Sequence, residues 1–326
     1  MRRLFANAHY DFINRRKAAY VFSGIALALC IGTALIWQLR EGTWLNYGVD
    51  FTGGAIVQVR IASQPSVADV RNIVTQELPG SQVTSFGGDD EFLIRTPLTG
   101  NDATTAGPDA VIAALRAAYG TGDENVRVDR REAVSSKVGG ELQTRALLAI
   151  LISFVATLIY LAFRFEWRFG VAAIIATLHD IILALGLMAM LRMEISLPTV
   201  AAFLTIVGYS LNDTIVIFDR IRENLQTGKR VDFIALLNKS INETLPRTVL
   251  TSGTTLLTLL SLYLFGGAII RDFALILIAG ILLGTYSSIF VAAPALLEVE
   301  KRFPHEPKKK KPVRDPRART PAPSRV

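Results

Sequence analysis

Six apolar runs, at residues 18–38, 146–163, 169–191, 197–218, 248–266 and 273–294, constrain this chain more than any other feature. A bilayer core is crossed by about 20 consecutive apolar residues in a helix. Hydrocarbon offers no partner to backbone N–H and C=O groups, so each such run must satisfy them internally, as a helix. The 51% hydrophobic content and mean hydropathy of +0.37 exclude an ordinary soluble domain. The first run exceeds the apolar core of a cleavable leader, and no A-x-A-like site follows it. It is expected to be an uncleaved signal-anchor.

Loop charges set the expected orientation. Arg15, Arg16 and Lys17 precede the first run, and Arg220, Arg222, Lys229, Arg230, Lys239 and Arg247 fill the loop between the fourth and fifth. The positive-inside rule then puts both termini and loop 219–247 in the cytoplasm. The expected organisation is a cytoplasmic segment 1–17, a first span 18–38, an extracytoplasmic domain 39–144, a five-helix region 145–296 and a basic disordered tail 297–326. The tail's Lys308–Lys311 run lacks interleaved aromatics, which fits membrane lipid rather than nucleic acid. Residues 232–245 place Ile234, Leu237, Ile241 and Leu245 on one face, as in a helix lying on the membrane surface or packed against neighbouring loops.

The outer segment reads as a small α+β domain. Residues 55–61 alternate as a strand, and 66–78 have helical spacing with Ser66 as N-cap. Residues 82–86 and 91–96 read as strands around a Gly-Gly-Asp-Asp turn, 109–119 as a second helix and 125–130 as a fourth strand. The order β-α-β-β-α-β is that of a ferredoxin-like sandwich. No metal-ligand cluster, phosphate loop or nucleophile–base pair accompanies it, so a binding or mechanical role is expected rather than an enzyme.

Chemistry is expected inside the membrane. Asp213 lies within the fourth run beside Tyr209, Ser210 and Asn212. A charge there costs about 2.5–3.5 kcal/mol even on lenient insertion scales and marks a functional position. Arg247, Thr251, Thr254, Thr255, Thr258 and Ser261 fall on one face of the fifth run, as a polar path or a packing surface. Antiparallel spans four and five can bring Arg247 to the depth of Asp213, and such a pair would work as a proton switch. His179-Asp180 is a possible relay in the third run, whereas Asp272 starts the sixth at an interface where a charge is cheap. Gly280 and Gly284 form a small-residue step for tight packing. No ATP-binding motif is present, so work would come from an ion gradient or a partner.

Several segments resemble signatures of the SecD/SecF protein-export family. They are Gly48-Val49-Asp50-Phe51-Thr52-Gly53-Gly54, Leu178-His179-Asp180, and residues 208–216 leading to Asp219-Arg220-Ile221-Arg222-Glu223-Asn224. Arg247-Thr248 with Thr251-Ser252, and Gly284-Thr285-Tyr286-Ser287-Ser288, add to them. Length, a single outer domain and six spans are similar to the SecF-type member. The resemblance implies a proton-driven half-unit of resistance–nodulation–division type in the bacterial inner membrane. It implies pairing with SecD, work beside the SecYEG translocon and its ATPase SecA, and exported preprotein as the object. Protons are the only coupling species implied, with no organic cofactor or metal. Asp213 and Arg247 match the positions implicated in proton transport. Half of a small-molecule or lipid exporter, or a non-conducting scaffold, stand as alternatives.

Overall fold

The computed structural model describes residues 9–86, 88–97, 103–226 and 232–304. The basic run 308–311, Lys229 and Arg230 lie outside them, as does the expected disorder of the tail beyond residue 304. The helices are α1 (Arg16–Glu41), α2 (Val49–Thr52), α3 (Val67–Glu77), α4 (Ala103–Tyr119), α5 (Ser136–Arg164) and α6 (Trp167–Met190). They continue with α7 (Leu197–Gln226), α8 (Phe233–Phe265), α9 (Gly267–Ser287) and α10 (Ala293–Arg302). The strands are β1 (Asn46–Tyr47), β2 (Gly54–Ile61), β3 (Gln82–Phe86), β4 (Gly88–Thr96), β5 (Val126–Val134) and β6 (Glu194–Ile195).

Six helical segments are long and apolar enough to span a membrane. They divide by burial. The apolar windows of α6, α7 and the α9–α10 segment are 56%, 50% and 56% buried, against 11%, 6% and 17% for α1, α5 and α8. The first three therefore form the core of the bundle, and the other three expose most of their apolar surface. Between α9 and α10 a π-helical turn, Ser288–Ala292, carries the buried Ser288, Ile289, Val291 and Ala292.

Strands β2 to β5 and helices α3 and α4 form the α+β domain between α1 and α5. Its sheet order is β3-β4-β2-β5, every pairing antiparallel, as the β-α-β-β-α-β reading requires. Val57, Val59, Ile61, Phe92 and Ile94 from the sheet meet Val70, Val74, Val111 and Leu115 from the helices in one core. Ser66 caps α3 by accepting the Asp69 N–H at 3.2 Å. Strand β4 starts at Gly88, which shortens the expected turn, and β5 runs on to Val134, directly into α5.

Residues 232–245 do not form a separate surface helix. They are the first part of α8, continuous with the fifth span through Pro246. Two side-chain amides of this stretch hold the chain's N-terminal segment. Asn242 exchanges hydrogen bonds with the backbone of Tyr10 at 2.9 and 2.8 Å, and Asn238 accepts from the Phe12 and Ile13 N–H groups at 3.0 Å. Leu237 and Ile241 are buried in the bundle core with Ile13. Polar ties to a neighbouring segment and apolar contact with the bundle together give this helix a better resting place than lipid headgroups.

Helices α7 and α9 cross closely because α9 has glycines at the contact. A Cβ on Gly284 would lie 2.9 Å from the Ser210 Cα, where backbone leaves no room to yield, and one on Gly280 would run into the Ile206 side chain. Gly284→Ala is therefore expected to separate the helices and cost about 1–3 kcal/mol, the usual range for overpacking. A lowered thermal midpoint in detergent would register it, with Gly140→Ala, whose Cβ meets nothing within 4 Å, as the control.

Candidate functional site

The α7–α9 crossing surrounds two carboxylates, Asp213 and Asp180, each 2% exposed. Asp213 Oδ2 accepts from the hydroxyls of Ser252 on α8 at 3.3 Å and Thr285 on α9 at 3.4 Å. Those hydroxyls lie 2.9 Å from each other. Three helices therefore converge on one oxygen through donors that can rotate away from it.

Arg247 makes no ion pair with Asp213 among the described residues, contrary to the sequence expectation, although its charge lies within electrostatic reach. Helix geometry explains the difference. Arg247 and Ser252 are five residues apart on α8, hence about 140° apart around it, so a helix presenting Ser252 to Asp213 turns Arg247 outward. The rest of the polar stripe points the same way. Thr254, Thr258 and Ser261 are exposed, and each donates to the carbonyl four residues earlier at 2.9, 3.2 and 3.0 Å. Thr251 and Thr255 also bond back along α8, at 2.9 Å each, and Tyr209 donates to the Thr255 hydroxyl at 3.4 Å. Asn212 sits on the exposed face of α7. The buried polar line of α8 is instead Ser240, Thr244, Thr248 and Ser252, spaced four apart.

Asp180 is held more tightly. Ser210 on α7 and Ser287 on α9 each donate to Oδ2 at 2.5 Å, and Nδ1 of His179 lies 2.9 Å from Oδ1. His179 Nε2 meets the Ser23 hydroxyl of α1 at 3.1 Å. Ser23 lies 3.1 Å from the Tyr286 hydroxyl, itself 3.0 Å from the Ala19 carbonyl. This chain has two self-consistent donor orders. If Tyr286 donates to Ala19, Ser23 donates to Tyr286 and accepts from Nε2–H of His179. If Tyr286 turns to Ser23, Ser23 donates to His179 Nε2, which leaves Nδ1–H to donate to Asp180. Among the described residues neither His179 nor Asp180 forms a hydrogen bond or ion pair with Asp213, and the two carboxylates draw on neighbouring residues of α7 and α9.

The segment 48–54 joins this bundle to the domain. Asp50 Oδ2 accepts the Leu197 N–H at the start of α7 at 2.9 Å. An anionic side chain there suits the positive end of the helix dipole. Phe51 is buried against Met188 and Ile195. Gly53 and Gly54 have φ of +76° and +137°, and a Cβ on Gly54 would lie 2.6 Å from the Thr96 carbonyl. Beside the segment, β1 pairs in parallel with β6. Glu194 of β6 forms an ion pair with Arg95 of β4. Burial pushes the Glu194 carboxyl above its usual range. Arg95 opposes that rise, while Asp50 and Asp272 add to it. Asp272 is thus not an isolated interfacial charge but part of this cluster.

Comparison with known proteins identifies the family. The family described as protein export membrane protein SecD/SecF, C-terminal, matches residues 114–302, and the SecD/SecF GG motif matches 42–64. Protein translocase subunit SecF of Gemmatimonas aurantiaca is 42% identical over 93% of this chain and 91% of its own length. That of Desulfurispirillum indicum is 42% identical over 91% and 94%. The chain belongs to the SecD/SecF family. A crystal structure of SecDF, a translocon-associated membrane protein from Thermus thermophilus, superposes with a TM-score of 0.76 at 36% identity. The match covers 91% of this chain and 39% of that longer one. Within this SecD/SecF chain, the GG motif is the joint between domain and bundle, and the C-terminal family region holds both buried carboxylates.

Ser252, Thr285, Ser287, Ser23 and Tyr286 had no assigned role in the sequence reading, although all but Ser23 stand inside the motifs that carried the resemblance. Their signal was hydroxyl side chains inside otherwise apolar helices: a contiguous run at 285–288, Ser252 four residues after Thr248, and a lone Ser23. Ser252→Ala removes one of the two hydroxyls that donate to a buried carboxylate, and about 1.5–3 kcal/mol of stability is expected to go with it. Thr254→Ala, on the exposed face, is expected to stay within about 0.5 kcal/mol. Thermal unfolding of the two variants in detergent compares them directly.

Proposed function

We propose that this chain is a SecF-type subunit of the protein-translocation machinery, working with SecD beside SecYEG and SecA to draw exported preprotein across the membrane. Proton influx through the α7–α8–α9 crossing drives it, with Asp213 as the carrier and Arg247 as the charge that discharges it. The termini are cytoplasmic and the α+β domain extracytoplasmic, in the bacterial inner membrane. His179 and Asp180 form an accessory relay whose donor order responds to the Tyr286 hydroxyl.

One observation carries the reading. Asp213 is buried, the hydroxyls of Ser252 and Thr285 that reach it from the neighbouring helices can rotate away, and Arg247 is within electrostatic reach but in no ion pair with it among the described residues. A structural carboxylate gains most from a fixed partner in direct contact. One that must exchange a proton needs ligands that can let go. The polar, exposed face of α8 supports a partner on that side, because threonines facing lipid gain nothing beyond their own helix carbonyls. In a SecDF-type assembly the other half would cover it and enclose Arg247.

The test is Asp213→Asn in the assembled complex, reconstituted with translocon and ATPase in proteoliposomes. Gradient-stimulated release of preprotein on the outer face is expected to fall about tenfold or more, equivalent to about 1.4 kcal/mol. Release without a gradient should be unchanged. Full retention of the stimulation would remove Asp213 from the proton path and leave a scaffold.

A further inference from the structure

Outside the proton site, the described residues hold one half-buried ion pair that joins the α+β domain to the bundle. Arg95, near the end of β4, pairs with Glu194 of the α6–α7 loop, their side chains 21% and 15% exposed. Arg95 Nε finds no acceptor among the described residues, so the guanidinium is committed through its other end. Glu194 lies within electrostatic reach of Asp50 and Asp272, and Asp272 within that of both Arg95 and Arg271. Three residues after Glu194, Leu197 begins α7, and its N–H is held by Asp50. Asp213 lies sixteen residues further along that helix, about 24 Å at 1.5 Å per residue.

Both ends of this connection are anchored in regular structure. Arg95 pairs with Ile56 of β2 and Gln82 of β3, so its backbone moves with the sheet. Glu194 is registered with Asn46, and the Ile195 carbonyl accepts from the Gly48 N–H at 2.9 Å, so the loop is stapled to the segment leaving α1. Gly48 has an ordinary extended backbone (φ −75°, ψ 173°), so any residue could adopt its conformation. Its smallness serves another end, because a Cβ there would strike the Glu194 side chain.

We propose that Arg95 and Glu194, with Asp50 at the head of α7, are positioning residues of the joint through which displacement of the Asp213-bearing helix reaches the outer domain. The proposal rests on the reading of Asp213 as the site that moves. A helix transmits axial displacement with little loss, and a half-buried ion pair flanked by excess negative charge holds its arginine more firmly than a solvated pair does.

The experiment uses the complete complex with spin labels at Gln76 on α3 and Leu191 beside β6, both exposed, while Cys30 is buried. Arg95→Glu and Glu194→Arg should each broaden the label-to-label distance distribution and lower gradient-stimulated release about tenfold. Combining them should narrow the distribution again and recover most of the release. Gly48→Ala, which displaces Glu194 without changing any charge, should act like the single variants. Unaltered distances in every variant overturn the proposal. So does a charge-swapped pair as broad as its parents. If wild-type release ignores the gradient, the proton reading falls, while the distances still judge the joint.

Discussion

Removing a carboxylate from water costs several kcal/mol unless donors replace the lost hydration. In this protein two carboxylates are removed at once, and the replacement donors come from four helices. Ser23 of α1 reaches Asp180 through His179, Ser210 of α7 and Ser287 of α9 reach it directly, and Ser252 of α8 joins Thr285 of α9 on Asp213. The bundle is therefore arranged around its polar centre. Without close approach of α7 and α9 the hydroxyls would fall short, which is why Gly284 faces Ser210.

The two centres differ in kind. Asp180 accepts two short bonds and a histidine contact, a dense arrangement with little freedom. Asp213 accepts two longer ones from hydroxyls that also face each other. Tight bonding fixes helix positions, and loose bonding permits exchange. The two centres draw on residues within a single turn of α7 (Ser210 and Asp213) and of α9 (Thr285 and Ser287), so a rotation of either helix would move the ligands of both. The π-helical turn immediately after Ser287 gives α9 a place to absorb such rotation, as these turns do at functional sites.

Hydropathy made the six spans legible, because a long apolar run has one stable form in hydrocarbon, even with a single carboxylate inside it. Alternation and the Ser66 cap did the same for the α+β domain. What remained hidden depended on facing. The Arg247 stripe has a helical period, but a period gives no sign of which side meets the bundle. The line through Thr244, Thr248 and Ser252 has the same spacing and turned out to be the inner one. Glu194 and Arg95 were invisible for a different reason. They are 99 residues apart in sequence, on β6 and β4, two strands that do not pair with each other and whose local patterns hold no sign of the contact.

The domain's attachment has a mechanical consequence. Gly54, where β2 leaves the membrane segment, pairs with Val134, where β5 returns to it, and Thr96 at the end of β4 pairs with Ala55. Both covalent links and the Arg95 contact thus lie along one rim of the sheet, on neighbouring strands about 4.8 Å apart. A plate fastened along a single rim resists sliding and twisting in its own plane but keeps one soft degree of freedom, tilting about that rim. The domain is mounted like a flap on a strip hinge, and whatever pulls on the strip sets the angle of the flap.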